Sequence, residues 1–233
     1  LTRGFLEALH LIASGDSALF EIVLLSMQVS GIALAISTAL GVPGGVLLAL
    51  TRFPGRKLAV VAVYTGMAAP PVVVGLFVYL MLSRSGVLGS LNLSLVPGLF
   101  TAGAMVAAQV IIAFPLVAGF TMASVSGVDP ALRLQVRALG ASQWQVTWAV
   151  LDEARVGVIA AIVAGFGGII SEVGAVMMVG GNIEGRTRVL TTAIVLETSK
   201  GNFDLAIALG IILVGIAFLT NYLIVRLQGR SFD

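Results

Sequence analysis

"LQVRALGASQWQVTWAV", Leu134 to Val150, interrupts an otherwise apolar chain. It holds Arg137, three glutamines and both tryptophans, and Arg133 lies just before it. Asp129-Pro130 upstream reads as a helix N-cap followed by proline at the first helical position. Arg133 and Arg137, then Trp144 and Trp148, recur at i, i+4 spacing on either side of Gly140. The pattern predicts two short helices meeting at Gly140-Ala141-Ser142, with glycine relieving the turn and Ser142 capping the second helix. Leu132, Val136 and Leu139, then Val146 and Val150, form an apolar stripe on each. Two readings stand at this point: a docking surface for another protein, or an amphipathic segment anchored at a membrane interface by its tryptophans.

The rest of the chain explains why such a break is unusual. Of 233 residues, 58% are hydrophobic and 10% charged, with a mean hydropathy of +1.09. Ordinary soluble domains carry about 25% charge. Most of this surface therefore faces lipid or other helices, and the class is an all-α integral membrane protein. There is no cysteine and one histidine, His10, so neither a thiolate metal site nor Ser-His chemistry is expected. A formal charge of +2 gives no reason to expect nucleic acid. The opening residues carry acids and lack a basic-then-apolar order, so no cleavable signal is expected.

Runs of about 20 apolar residues predict five transmembrane spans, near 20–50, 58–82, 99–124, 156–179 and 203–227. Pro70-Pro71 should kink or break the second. Residues 129–153 form the loop between the third and fourth, and 1–18 read as an amphipathic helix at the outer interface or a frayed terminus. Eight of the 13 basic residues (Arg52, Arg56, Lys57, Arg133, Arg137, Arg155, Arg226 and Arg230) fall on one side. The positive-inside rule then puts the N-terminus outside and the C-terminus in the cytoplasm. No internal repeat supports an inverted-repeat carrier.

"ALGASQWQVTWAVLDEAR", Ala138 to Arg155, resembles the cytoplasmic loop of type I ABC importer permeases. That family's loop runs Glu-Ala-Ala, three residues, Gly, nine residues, Ile, one residue, Leu-Pro. With Gly140 as the glycine, Leu134-Gln135-Val136 replaces Glu-Ala-Ala, Val150 takes the isoleucine place, and Asp152-Glu153 replaces Leu-Pro. The resemblance implies a MetI-like fold of about five spans and a loop that docks on an ATPase subunit through Arg137, Leu139, Gly140, Ala141, Ser142 and Trp144. It implies a homodimer, two ATP-binding cassette subunits and an external oxyanion-binding protein, in a prokaryotic cytoplasmic membrane. No cofactor is expected on this chain; ATP and magnesium belong to the partner. The missing glutamate argues against a salt bridge with the ATPase, leaving contact to apolar residues and arginines.

A second match narrows the cargo. Ser171-Glu172-Val173-Gly174-Ala175 and Gly181-Asn182-Ile183 resemble segments of molybdate and sulfate permeases. "GMAAPPVVVGLFVYLMLSRSGVLG", Gly66 to Gly89, and "LTTAIVLETSKGNFDLAIALGIIL", Leu190 to Leu213, are most similar to tungstate permeases. Glu172 lies deep in the fourth span, where an ionisable side chain is costly and faces protein or a cavity. A fixed carboxylate repels an anion, so Glu172 is expected at a gate, protonated, or bonded to neighbouring helices, rather than as a ligand. Gln109, Ser171, Asn182, Thr191 and Thr192 are the other candidates for the path or gate; serines and threonines also commonly bond their own helix. Arg186, Arg188 and Lys200 are candidates for docking on the outer face, or are ordinary solvated charges. No phosphate-binding loop motif is present, so ATP hydrolysis by that route is not expected here. The competing classes are a stand-alone channel or ion-coupled carrier and, last, an intramembrane enzyme.

Overall fold

A backbone in hydrocarbon must satisfy its N–H and C=O groups internally, which favours helices. The computed structural model describes residues 17–91, 93 and 96–227, and its long elements are all α-helices. The expected interfacial helix over 1–18 lies almost wholly outside the described residues, as do Arg3 and Arg230. Three helices are each long and apolar enough to cross a membrane: α1 (Ser17–Leu50), α4 (Ala102–Ser126) and α10 (Phe203–Leu227), the last over Phe203–Arg226. Two bent pairs raise the number of spans to as many as five.

The stretch expected as a second span is two helices. α2 (Arg56–Met67) and α3 (Pro71–Leu82) meet at an angle of 105°. Pro70 is extended, at φ −63° and ψ 124°, and Pro71 opens α3. Two consecutive residues without N–H donors, and the clash each proline makes with the residue before it, leave no helical ladder across this point.

Between the third and fourth expected spans come two short helices, α5 (Pro130–Ala138) and α6 (Gln143–Glu153). The fourth expected span is also divided, into α7 (Arg155–Ile170) and α8 (Gly174–Gly180), with the break at Ser171–Val173. α6 and α7 are themselves bent by 68°. α9 (Leu190–Ser199) precedes α10.

α1 and α4 pack along their lengths, and close approach of their backbones needs small residues. A Cβ on Gly45 would stand 2.5 Å from the Ala118 carbonyl oxygen. α8 lies against both α3 and α4: a Cβ on Gly75 would stand 2.5 Å from Ala175 Cα, and one on Gly180 2.9 Å from Met105 Sδ. The main core joins Val29, Ala33, Val78, Met105, Ala108, Ile169 and Val176 from five helices. α9 and α10 pack through Leu190, Ala208 and Leu209 against Leu19 and Ile22 of α1.

Candidate functional site

Two features on this scaffold carry chemistry: a polar elbow inside the bundle and an exposed loop at one end. The elbow is the break between α7 and α8. Ser171 Oγ donates back to the Gly167 carbonyl at 2.8 Å. Glu172 then turns its own carboxylate to the next helix, where Oε1 accepts from Ala175 N at 2.8 Å. Such local side-chain bonds offer the backbone an alternative to the helical ladder.

Other helices satisfy the remaining groups. Gln109 Nε2 on α4 donates to the Ile169 carbonyl at 3.1 Å, which also accepts from Glu172 N at 3.2 Å where α7 ends. Thr191 Oγ1 on α9 donates to the Glu172 carbonyl at 3.0 Å. Ser26 on α1 caps α9 from outside: its Oγ accepts from Leu190 N at 2.9 Å while donating to the Ile22 carbonyl at 2.6 Å. Ser26, Ser30, Gln109, Glu172 and Thr191 share the lining of a cavity of about 10 Å³, the scale of one water. Gln109 Oε1 is buried there without a partner among the described residues. Glu172 is 8% exposed and has no salt bridge among the described residues.

Of the six residues expected on a path or gate, the fold therefore gathers Gln109, Glu172 and Thr191. Ser171 bonds its own helix. Thr192 does the same at the start of α9, accepting from Val189 N at 3.1 Å and donating to the Val189 carbonyl. Asn182 sits beyond α8 at φ 50°, with Oδ1 buried and unpartnered among the described residues. Ser26 and Ser30 were not singled out by sequence reading. A serine in an apolar helix reads as a back-bond to that helix, which Ser26 also makes; its second bond spans 164 residues and leaves no local trace.

The exposed loop is built at its hinge. α5 ends in a Schellman motif: Ala141 N donates to the Val136 carbonyl at 3.3 Å and Gly140 N to that of Arg137 at 2.9 Å. The motif needs a left-handed residue, and Gly140 has φ 83°. Ser142 and Gln145 then form a reciprocal capping box that starts α6. Arg137 Nη2 donates to Gln143 Oε1 at 2.9 Å across the hinge. Val146 and Val150 turn inward, and Val150 packs with Val46 and Val125. Trp144 and Trp148 stack at 6.2 Å, and are 73% and 63% exposed. Leu134 and Leu139, on the other side of the hinge, are exposed as well. Exposed aromatic and apolar side chains on one short loop fit an interaction surface.

At the other end of α4 lie the loops after α3 and α8. The three cations expected there differ in environment. Arg188 pairs with Glu184 at 3.2 Å and Lys200 with Glu197 at 2.7 Å. Arg186 lines a groove of about 350 Å³ with Glu21, Gln28 and Glu184. Hydrogen bonds from Asn202 and Lys200 hold the Glu197 carboxyl below its ordinary value, against the opposing effect of burial. Thr187, also missed in the sequence, ties this loop together by donating to the Gly180 carbonyl at 2.6 Å and accepting from Ile183 N.

Comparison with known proteins extends these observations. Residues 41–232 match the family described as binding-protein-dependent transport system inner membrane component. The chain is 38% identical over 228 residues to the tungstate uptake system permease protein of Peptoclostridium acidaminophilum, covering 98% of each chain. It is 40% identical to a probable anion ABC transporter permease protein of Haloferax volcanii, covering 91% of this chain and 92% of the relative. With the molybdenum transport system permease protein of Escherichia coli K12 the identity is 31%, over 86% of this chain and 90% of that one. The fold matches a bacterial alginate ABC transporter in complex with an alginate pentasaccharide-bound periplasmic protein, at a TM-score of 0.74 and 21% identity, covering 95% of this chain and 82% of that one.

Proposed function

The chain belongs to the family of binding-protein-dependent transport system inner membrane components, and from that premise we propose that it is the membrane-spanning subunit of an ATP-driven tungstate importer. The observation that carries the cargo is the near-full-length similarity to the Peptoclostridium tungstate uptake permease. Molybdate is the second reading, favoured by the more distant molybdenum permease relative.

In this reading two copies of the chain form the path, with the N-terminus outside and the C-terminus in the cytoplasm. An external protein delivers the anion to the face that carries Arg186, Arg188 and Lys200. ATP and magnesium are used by two cassette subunits, which grip Leu139, Trp144 and the hinge between α5 and α6. Their closure swings the loops together; the motion reaches α7 directly, because α6 runs into it with a single bend. The Gln109–Glu172–Thr191 elbow, at the far end of α7, is the gate. Its carboxylate sits where a dianion must not bind tightly, which favours passage over retention.

The test is ATPase activity of the reconstituted complex with its external binding protein loaded with tungstate, molybdate or sulfate. Stimulation by the tungstate-loaded protein is expected. Stimulation only by another loaded form reassigns the cargo, and anion uptake without any ATPase subunit overturns the mechanism in favour of a stand-alone channel or carrier.

A further inference from the structure

The small cavity at the elbow is rich in lone pairs and short of protons. Ser26 and Ser30 are four residues apart and so share one face of α1. Gln109, Glu172 and Thr191 meet them across the cavity. Ser26 gives its hydroxyl proton to the Ile22 carbonyl, and Thr191 gives its own to the Glu172 carbonyl. Gln109 directs its amide nitrogen to the Ile169 carbonyl, which leaves Oε1 buried with nothing donating to it among the described residues. An ionised carboxylate only accepts, and that of Glu172 does so from Ala175 N. Ser30 is 2% exposed and makes no hydrogen bond among the described residues. The side chains thus present one uncommitted O–H, on Ser30, and several acceptors.

Bulk water does not reach this point. Gln109 is 3% exposed, and Val29, Ile170 and Leu213 close the apolar part of the wall. A buried amide oxygen left unpaired is costly. We propose that the cavity is the binding site of a single water molecule, which donates to Gln109 Oε1 and to the Glu172 carboxylate and accepts from Ser30 Oγ. A cavity of about 10 Å³ has room for one water, and three partners is the usual number for a buried one. Water fits these groups because it donates twice and also accepts; a cavity that stays empty is apolar, and this one is not. The water joins α1 and α4 to the elbow, and it fixes which way the Gln109 amide faces. Its place is independent of what the chain transports.

Filling the cavity tests this, because filling a dry void stabilises a protein while expelling a well-bonded water does the opposite. Ser30→Val replaces the hydroxyl and puts a methyl in the water's place, whereas Ser30→Ala removes the hydroxyl and leaves the room. In the purified permease, Ser30→Val is expected to unfold about 2–8 °C below Ser30→Ala. In a Gln109→Leu background no amide oxygen needs a donor, so most of that gap should close. A Ser30→Val midpoint equal to or above that of Ser30→Ala overturns the water. A gap that Gln109→Leu leaves unchanged also overturns it, since the methyl is then merely a poor fit. If Ser30→Val does not fold, Ser30→Thr, which adds a methyl and keeps the hydroxyl, is compared with wild type on the same two criteria. The rival occupant beside a carboxylate is a sodium ion. The wild-type midpoint is expected to be the same in sodium and in N-methylglucamine at equal ionic strength. A midpoint that rises with sodium, and loses that rise in Gln109→Leu, overturns the water in favour of the ion.

Discussion

Ser26 spends one hydroxyl on two helices. Removing it leaves Leu190 N–H buried without an acceptor, a loss of about 1–3 kcal/mol. Ser26→Ala should therefore lower the thermal midpoint of the purified permease, while Ser26→Thr keeps most of it. Glu197 sets a pH dependence. Its carboxyl is held low by Asn202 and Lys200. A depressed carboxyl contributes stability that is full above its unfolded pKa and disappears as pH falls through the folded one. Unfolding temperature should drop on acidification below the ordinary carboxylate range, and less so in Glu197→Gln. Sequence reading found Glu172 and Gln109 because an ionisable or amide group in an apolar span stands out. It could not find Ser26, Ser30 or Thr187, whose roles depend on partners brought together only by the fold. It also could not tell that Thr192 and Ser171 turn back on their own backbone rather than into the cavity.

The helical elements show the same division. Apolar run length located the long helices, and Asp129, Gly140 and Ser142 carried the geometry of α5 and α6 in their chemistry. The division of the fourth expected span was not legible. Ser171–Val173 is short, flanked by apolar residues, and broken by hydrogen bonds from α4 and α9 as much as by its own side chains. Two substitutions test the elements. Gly140→Val puts a β-branched side chain at φ 83° with no neighbour within 4 Å, so its cost is purely conformational. It should destabilise by roughly 1–2 kcal/mol and misalign α5 against α6, reducing stimulated ATPase activity more than thermal stability. Gly75→Ala drives a methyl into the α8 backbone. Overpacking of this kind costs roughly 1–3 kcal/mol, and the expected readout is a lower unfolding midpoint with α8 loosened in hydrogen exchange.

At the scale of the molecule, the bundle separates what holds it together from what it offers to partners. Val146 and Val150 bind the loop to the bundle, while Trp144, Trp148, Leu134 and Leu139 leave an apolar surface uncovered. If the loop docks as proposed, Trp144→Glu should leave the permease extracted, folded and monodisperse, yet abolish its co-purification with the proposed ATPase subunit. Loss of folding instead would make the tryptophans part of the scaffold. The two tryptophans are also the only ones in the 233 residues, and both lie on that one loop, stacked on each other and uncovered by the rest of the chain. The protein's intrinsic indole emission thus comes from a single place. It is a built-in optical gauge of that face, red-shifted while the surface is wet and blue-shifted when something covers it, readable without attaching a dye.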